Sequence, residues 1–152
     1  MEGPGGPRSP QGGYRGASLG LPESGPGALA GFGRRFAAVL VDWLSSLLVA
    51  RLLFPDLGAT SDSIRSYDPS FSFVVLGIFF LQRLLLTWLG GSSFGQRIFG
   101  SAVVRLDGSR AGLGRVALRT LLLCLVVPLM LTDGDGRGLH DRLAGTMELN
   151  AR

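Results

Sequence analysis

The amino-acid sequence predicts an all-α membrane protein with two spanning helices and a third, shorter helix that either spans or re-enters the membrane. Only 17% of its 152 residues are charged and 46% are hydrophobic, whereas about a quarter of the residues in soluble domains are charged. The apolar residues are gathered in blocks, and two blocks are long enough to cross a bilayer. Gly-rich and arginine-containing stretches separate these blocks.

Residues 1–33 form a tail rich in Gly, Pro and Ser that we predict to be disordered and cytoplasmic. The tail has no apolar run whose burial could offset the entropy lost on ordering it. It also lacks the apolar core of a secretory signal. The membrane domain is therefore expected over residues 34–149.

The first spanning helix is predicted over residues 36–54, followed by Pro55. Nineteen residues at roughly 1.5 Å each can cross most of a hydrocarbon core of about 30 Å. Asp42 lies inside this helix at an insertion cost of about 2.5–3.5 kcal/mol, so it needs a partner or a function. Arg35 lies two turns earlier on the same face, about 10 Å away, where both side chains can enter one polar seam.

The second spanning helix is predicted over residues 71–89 and contains Arg83. In an antiparallel helix pair, Arg83 and Asp42 lie at similar depth from the inner ends of their helices. We therefore predict a buried ion pair between them. It could be a charge relay or ion site, or a structural pair that locks two helices, and the structural interpretation is preferred because buried charges must pair in either case.

The arginines flanking the apolar blocks predict the topology. Basic flanks stay in the cytoplasm, which places the N-terminal tail and the connector up to Arg115 inside and the loop at 56–70 outside. Within the connector, residues 93–100 are interpreted as a Gly-containing elbow that faces lipid. Residues 101–106 and 146–150 have strand patterns and could pair at the membrane surface.

The third apolar block, residues 116–132, is shorter and allows two structures. Its uninterrupted core from Leu121 to Leu131 contains Pro128 and fits either a re-entrant segment or a tilted, complete span. A complete span places the C-terminus outside, whereas pairing of the two strands requires the block to turn back. Both alternatives remain open, with a slight preference for the tilted span.

The chemistry-bearing residues predict neither an enzyme nor a cofactor or metal site. The sequence has a single His, His140, and a single Cys, Cys124, without a nucleophile–base pair or a ligand cluster around them. All 15 basic residues are arginines. They flank or interrupt apolar blocks instead of gathering on a soluble face, which favours a lipid bilayer over nucleic acid as the partner.

Three positions resemble the RDD family of bacterial membrane proteins. That family has an arginine at the start of its first helix, an aspartate within this helix and a second aspartate near the C-terminus; Arg35, Asp42 and Asp141 match. Residues 93–100 and 139–146 resemble two further family segments, and the resemblance covers residues 33–149. Arg83 is not part of the family pattern, and the short third block departs from members with a longer hairpin.

The resemblance implies a multi-pass protein of the bacterial plasma membrane whose molecular function is largely undefined, with a proposed role in transport. Ion or small-solute transport is therefore one expectation, and a structural or accessory membrane protein is the alternative. Three short helices enclose little volume, so we expect a homo-oligomer or a membrane-protein partner. The candidate functional charges are Arg35, Asp42 and Asp141, with Arg83, Arg119 and His140 as possible partners.

Overall fold

The fold consists of two long helices and a small α/β unit at one end of them. A computed structural model describes residues 14–57, 69–125 and 139–151. We number its helices α1 (Phe32–Leu53), α2 (Pro69–Gly90), α3 (Phe94–Ile98), α4 (Leu113–Cys124) and α5 (Leu139–Ala144). The strands are β1 (Ser101–Arg105) and β2 (Thr146–Asn150), and a short 3₁₀ helix at Ala17–Leu19 precedes α1. We call α3, α4, α5 and the two strands the platform.

Within the described residues, α1 and α2 are the two helices that are long and apolar enough to cross a membrane. Only 22% of each apolar window is buried inside the protein, whereas the core helix of a soluble protein would be mostly buried. Trp43 packs on Phe79, and Arg51 lies over Phe71, so the helices run antiparallel. Both predicted apolar helices are present, with α1 beginning four residues earlier than predicted.

The buried face of each long helix is polar, and the exposed face is apolar. The buried residues of α1 recur every three or four positions and include Arg35, Asp42 and Ser46. Those of α2 recur every four positions and include Arg83 and Thr87. Leu residues dominate the outer faces. This distribution suits lipid surroundings, where polar groups and small residues hold helices together.

Residues 93–100, interpreted from the sequence as a Gly-containing elbow that faces lipid, contain the helical turn α3, which exposes Phe94 and Ile98. Ser93 caps α3, accepting from the backbone N–H of Gln96, and its own N–H donates to the Gln96 side chain at 2.9 Å. Both Ser93 and Gln96 are buried. A side chain at Gly95 would collide with the carbonyl oxygen of Ala38 on α1. The reciprocal Ser–Gln cap forms a helical turn, and the glycine lets this turn pack directly on α1.

The predicted pairing of the two strands is confirmed. β1 and β2 are antiparallel, with Val103 opposite Glu148. The Val103 side chain packs with Ala111 and Val116, and Leu84 of α2 packs against this cluster. The sheet and α4 therefore share an apolar core that lies against the second long helix.

The predicted boundary of the disordered tail at residue 33 is wrong for the residues just before α1. Ala28, Leu29 and Ala30 are buried. The N–H of Ala30 donates to the carbonyl of Glu148 at 2.8 Å, and the N–H of Asn150 donates to that of Ala28 at 2.9 Å. These backbone bonds to β2 hold the segment in place. Residues 1–13 lie outside the described residues.

The third predicted segment is seen in part. α4 has 12 residues, starts at Leu113 and packs against α2 and α5. Its C-terminal residues Leu121 and Cys124 line one pocket together with Phe73 and Gly77, in the first half of α2. α4 therefore lies alongside α2. The rest of the predicted segment, residues 126–132, lies outside the described residues.

Candidate functional site

The interior of the described protein contains as many basic as acidic side chains. Three arginines and three carboxylates are at most 4% exposed: Arg35, Arg83, Arg119, Asp42, Asp141 and Glu148. Their formal charges cancel when His140, which is also buried, is neutral. Because an unpaired buried charge is very costly, this balance is a condition for the packing of the platform on the two long helices.

Asp42 is the centre of the first group. Its Oδ2 accepts from Nη1 of Arg83 at 2.5 Å and from the hydroxyl of Ser93 at 2.6 Å, and its Oδ1 accepts from the backbone N–H of Gly95 at 2.7 Å. The predicted Asp42–Arg83 ion pair is therefore present. Both carboxylate oxygens are hydrogen-bonded, so Asp42 connects α1 to α2 and to the first turn of α3.

A short polar seam continues from Asp42 between the two long helices. The Ser46 hydroxyl donates to the backbone carbonyl of Asp42 at 2.7 Å. The Gln82 amide donates to the Ser45 hydroxyl at 2.7 Å. Arg83 also lies over the ring of Phe79, 5.6 Å from its centroid, a position typical of a cation–π contact. These contacts fix the register of α1 against α2.

Asp141, on α5, is the centre of the second group. Its Oδ1 accepts from Nε of Arg119 and from the hydroxyl of Thr146, the latter at 3.2 Å. Its Oδ2 faces Nη1 of Arg35 at 3.9 Å and Nε2 of His140 at 3.5 Å. Neither distance is a well-formed hydrogen bond, and this oxygen has no hydrogen-bond partner. Asp141 thus has one fixed oxygen and one open one.

Arg119 connects Asp141 to the sheet. Its Nη2 donates to Oε2 of Glu148 at 2.7 Å, and the Ser101 hydroxyl donates to the other oxygen of Glu148 at 2.9 Å. We did not predict a role for Glu148 from the sequence. Polar and apolar residues alternate along a surface strand, and the polar ones normally face solvent. In the structure, Thr146 and Glu148 share the inward face of β2 and are both buried.

The surrounding charges determine the protonation state of Asp141. Burial by itself would raise the pKa of this carboxyl, but Arg119, His140 and Arg35 lower it by more, so the pKa lies well below its usual range. Asp141 is therefore ionised at neutral pH. Arg83 interacts electrostatically with Asp141 and Glu148 as well as with Asp42, so the two groups belong to one network of charges.

The six candidate residues singled out from the sequence are all buried, and they are grouped differently from the predicted seam. These residues are Arg35, Asp42, Arg83, Arg119, His140 and Asp141. Arg35 faces Asp141, and Asp42 pairs with Arg83. Arg119, predicted as a possible partner, binds Asp141 directly. Ser93, Gly95 and Glu148 complete the two groups and were missed. The Ser–Gln cap could have indicated the helical turn, although not its position against Asp42.

The two groups differ in the chemistry that they allow. Asp42 holds three donors and has no open oxygen. Asp141 has an open oxygen beside His140 and Arg35, and two nitrogens of Arg35, Nε and Nη2, have no hydrogen-bond partner. Within the described residues, no three His, Cys, Asp or Glu side chains are grouped as metal ligands. Asp141 therefore has an unused acceptor oxygen for a proton, a water or a small ion, whereas both oxygens of Asp42 are already hydrogen-bonded.

Comparison with known proteins gives one match. The model of the RDD family matches residues 29–145, which is most of the chain. The match begins at Leu29, which forms a bridge with Leu149 of β2, and it includes both groups of buried charges except for Glu148. No curated protein and no solved structure matches the chain.

Proposed function

The chain belongs to the RDD family, and we propose that this membrane-associated protein takes part in transport of ions or small solutes across the bacterial plasma membrane. The observation that supports this proposal is the open oxygen of Asp141. A fully buried carboxylate normally has every oxygen satisfied, whereas Oδ2 of Asp141 faces His140 and Arg35 at distances that leave no direct hydrogen bond. A buried carboxylate oxygen without a partner is a position that a water or an ion can occupy.

The residues of this site have different roles in the proposal. Asp141 stays ionised and supplies a fixed negative charge. His140 is assigned the proton exchange, because its imidazole Nε2 lies 3.5 Å from the open oxygen of Asp141. Arg35 competes with an incoming cation for the same oxygen, at 3.9 Å in the present state. Asp42 and Arg83 hold the helices together and do not exchange.

We infer a topology with two spans and both termini in the cytoplasm. β1 and β2 are paired, so the chain between them must cross the membrane an even number of times. A re-entrant third segment fits this pairing, and the arginines of the connector favour the cytoplasm for the platform. This replaces our preference for a tilted span.

A transport pathway through this protein requires a second subunit. Two spanning helices and one short helix have a single polar interface, and in the described residues that interface is filled by the paired charges. Their outer faces carry exposed Leu and Phe side chains that a second copy or a membrane-protein partner can cover. We therefore propose a homo-oligomer or a complex as the active form.

Flux measurements on the purified full chain in proteoliposomes test the proposal. A sodium, potassium or pH gradient is imposed, and wild type is compared with Asp141→Asn, His140→Gln and the matched control Asp107→Asn, an exposed acid on the loop after β1. We expect flux in wild type and in the control, with a loss of at least tenfold in the other two. Absence of flux in wild type under every gradient would reject a self-contained transporter.

A structural or accessory membrane protein is the second candidate, and the saturation of Asp42 favours it. Three donors on that carboxylate, together with the exact charge balance of the buried side chains, are what helix packing alone requires. A stable hetero-complex recovered from native membranes, combined with no flux in proteoliposomes, would establish this role in place of transport.

A further inference from the structure

Three elements of the platform each expose an arginine close to a large exposed apolar side chain. The apolar side chains are 46–58% exposed, and the pairs are Arg97 with Ile98 on α3, Leu113 with Arg115 on α4, and Arg142 with Leu143 on α5. We call Arg97, Arg115 and Arg142 the arginine belt. We propose that the arginine belt binds the headgroup phosphates of anionic phospholipids, so that an anionic leaflet holds the platform against the membrane.

The position of Arg97 places the belt at headgroup depth. Its guanidinium lies directly over Gly90, the last residue of α2, where any side chain would collide with it. Its Nε donates to the Ser92 hydroxyl at 3.3 Å. Because α2 is a spanning helix that ends at Gly90, this guanidinium lies at the boundary between the hydrocarbon and the headgroups.

Arg115 is anchored at the end of α5, the helix that carries Arg142. Nη1 of Arg115 donates to the carbonyl of Ala144 at 3.2 Å, and a side chain at Gly145 would collide with the same guanidinium. Arg142 lies two residues before Ala144 and is exposed. Arg115 and Arg142 are thus exposed arginines on two elements that pack on each other, and a planar guanidinium can bind a phosphate through two N–H groups at once.

The apolar neighbours of the belt indicate a lipid surface and not a soluble phosphate source. Leu118, Leu121 and Leu125 are exposed along one side of α4, in line with acyl chains above the headgroup level. Phe94 and Ile98 are exposed on α3. Helices with arginines at the edge of an exposed apolar face bind the headgroup boundary of membranes, and anionic lipids strengthen that binding.

The balance of charge on the platform surface also favours an anionic partner. Between residues 90 and 125 the sequence contains one acid, Asp107, and it forms an ion pair with Arg105 at 3.5 Å. The acids of α5 and β2, Asp141 and Glu148, are buried. The exposed surface of the platform is therefore strongly positive, and each arginine near an anionic leaflet strengthens binding by about fivefold.

Lipid titration of the purified full chain tests this inference. Phosphatidylglycerol, phosphatidylcholine or inorganic phosphate is added to the protein in neutral detergent, and the shift in Tm and the lipids retained in native mass spectrometry are measured. We expect a higher Tm and retained lipid with phosphatidylglycerol only, weakening with added salt. Equal effects of phosphatidylglycerol and phosphatidylcholine would overturn the inference, and an equal effect of inorganic phosphate would leave an adventitious anion only.

Variants of the belt locate the binding. Arg97→Gln/Arg115→Gln/Arg142→Gln is expected to lose about a hundredfold in apparent affinity for phosphatidylglycerol, and the matched control Arg105→Gln less than twofold. Because Arg115 also caps α5, the triple Gln variant can fail to fold, and two further variants are therefore measured. Arg142→Gln alone should lose about fivefold in affinity for phosphatidylglycerol. Arg97→Lys/Arg115→Lys/Arg142→Lys should retain most of that affinity. An unchanged affinity of Arg142→Gln for phosphatidylglycerol would overturn the inference. The inference does not depend on the proposed transport function.

Discussion

At the residue scale, one carboxylate joins three elements of this protein. Asp42 accepts from Arg83 on α2 and from Ser93 and Gly95 at the start of α3. Its two oxygens are thus shared between an ion pair across the spanning helices and the amide and hydroxyl of a helical turn. A buried acid with this many donors has a clear structural role, and its loss leaves Arg83 buried without a counter-charge.

Asp42→Ala is expected to destabilise the protein strongly, because breaking a buried pair from one side costs about 3–5 kcal/mol. The double variant Asp42→Ala/Arg83→Leu should recover part of the loss, since it removes the unpaired charge as well. Tm in detergent and accumulation in membranes measure both effects. Asp107→Ala, which breaks an exposed pair, is the control and should change stability by less than about 1 kcal/mol. Wild-type stability of Asp42→Ala would contradict the structural role.

The stabilising effect of Asp141 should be lost only in acid. Its pKa in the folded protein lies below that of an unfolded aspartate, which is about 3.9. The contribution is therefore fully present above about pH 5 and disappears as the pH falls through the lower, folded-state pKa. We expect the stability difference between wild type and Asp141→Asn to shrink as the pH falls below about 4. A stability difference that does not change between about pH 5 and pH 2 would contradict the lowered pKa of Asp141.

At the element scale, α3 is held by packing that tolerates no side chain. The helix has five residues, too few to be stable alone. Its capping pair, its hydrogen bonds to Asp42 and the approach of Gly95 to the carbonyl of Ala38 fix it on α1. The direction of the chain from α2 into β1 depends on this contact, because α3 is the one helix in the connection between α2 and β1.

Gly95→Ala is expected to displace α3 from α1 and to lower stability by about 1–3 kcal/mol, as for other overpacked sites. The matched control is Gly77→Ala within α2, where an added Cβ meets no atom within 4 Å and helix propensity favours alanine. Thermal unfolding and limited proteolysis between α2 and β1 compare the two variants. Equal Tm values for the two variants would show that α3 is not packed as closely as the structure indicates.

At the scale of the whole molecule, the charged side chains between the two long helices are buried, and most of the exposed side chains on these helices are apolar. The two long helices meet through Asp42, Arg83 and a seam of Ser and Gln side chains, while Leu and Phe side chains cover their outer faces. At the platform end, Arg119 holds Asp141 and Glu148 together. Contacts between the long helices and the platform include the hydrogen bonds of Asp42 with Ser93 and Gly95 and the approach of Arg35 to Asp141 at 3.9 Å.

Cysteine labelling tests the inferred topology in the Cys124→Ala background. Cysteines replace Ser109 on the loop after β1, Ala151 after β2, and Asp56 after α1. We expect 109 and 151 to react with an impermeant maleimide from the same side and 56 from the opposite side, because the paired strands must share a side. Labelling of 151 from the side of 56 would require a complete third span and would contradict the pairing of β1 with β2.

The sequence by itself determined the features that depend on local pattern and on depth. The long apolar runs predicted both long helices, and counting residues from the helix ends paired Asp42 with Arg83. Alternating residues in 101–106 and 146–150 predicted the strand pair. The ion pair could be predicted because, in two antiparallel helices, equal residue counts from the same end give equal height along the helix axis.

Only the tertiary structure decided which charges meet at the platform. Arg35 and Asp141 are over a hundred positions apart, and Glu148 reaches Arg119 only because β2 lies beside β1 with its inward face buried. The segment at Ala28–Ala30 is ordered by backbone bonds to β2, which no side-chain pattern encodes. The physical reason is that hydrogen bonds and ion pairs between distant segments depend on the packing of the whole chain, whereas periodicity reports only the environment of one segment at a time.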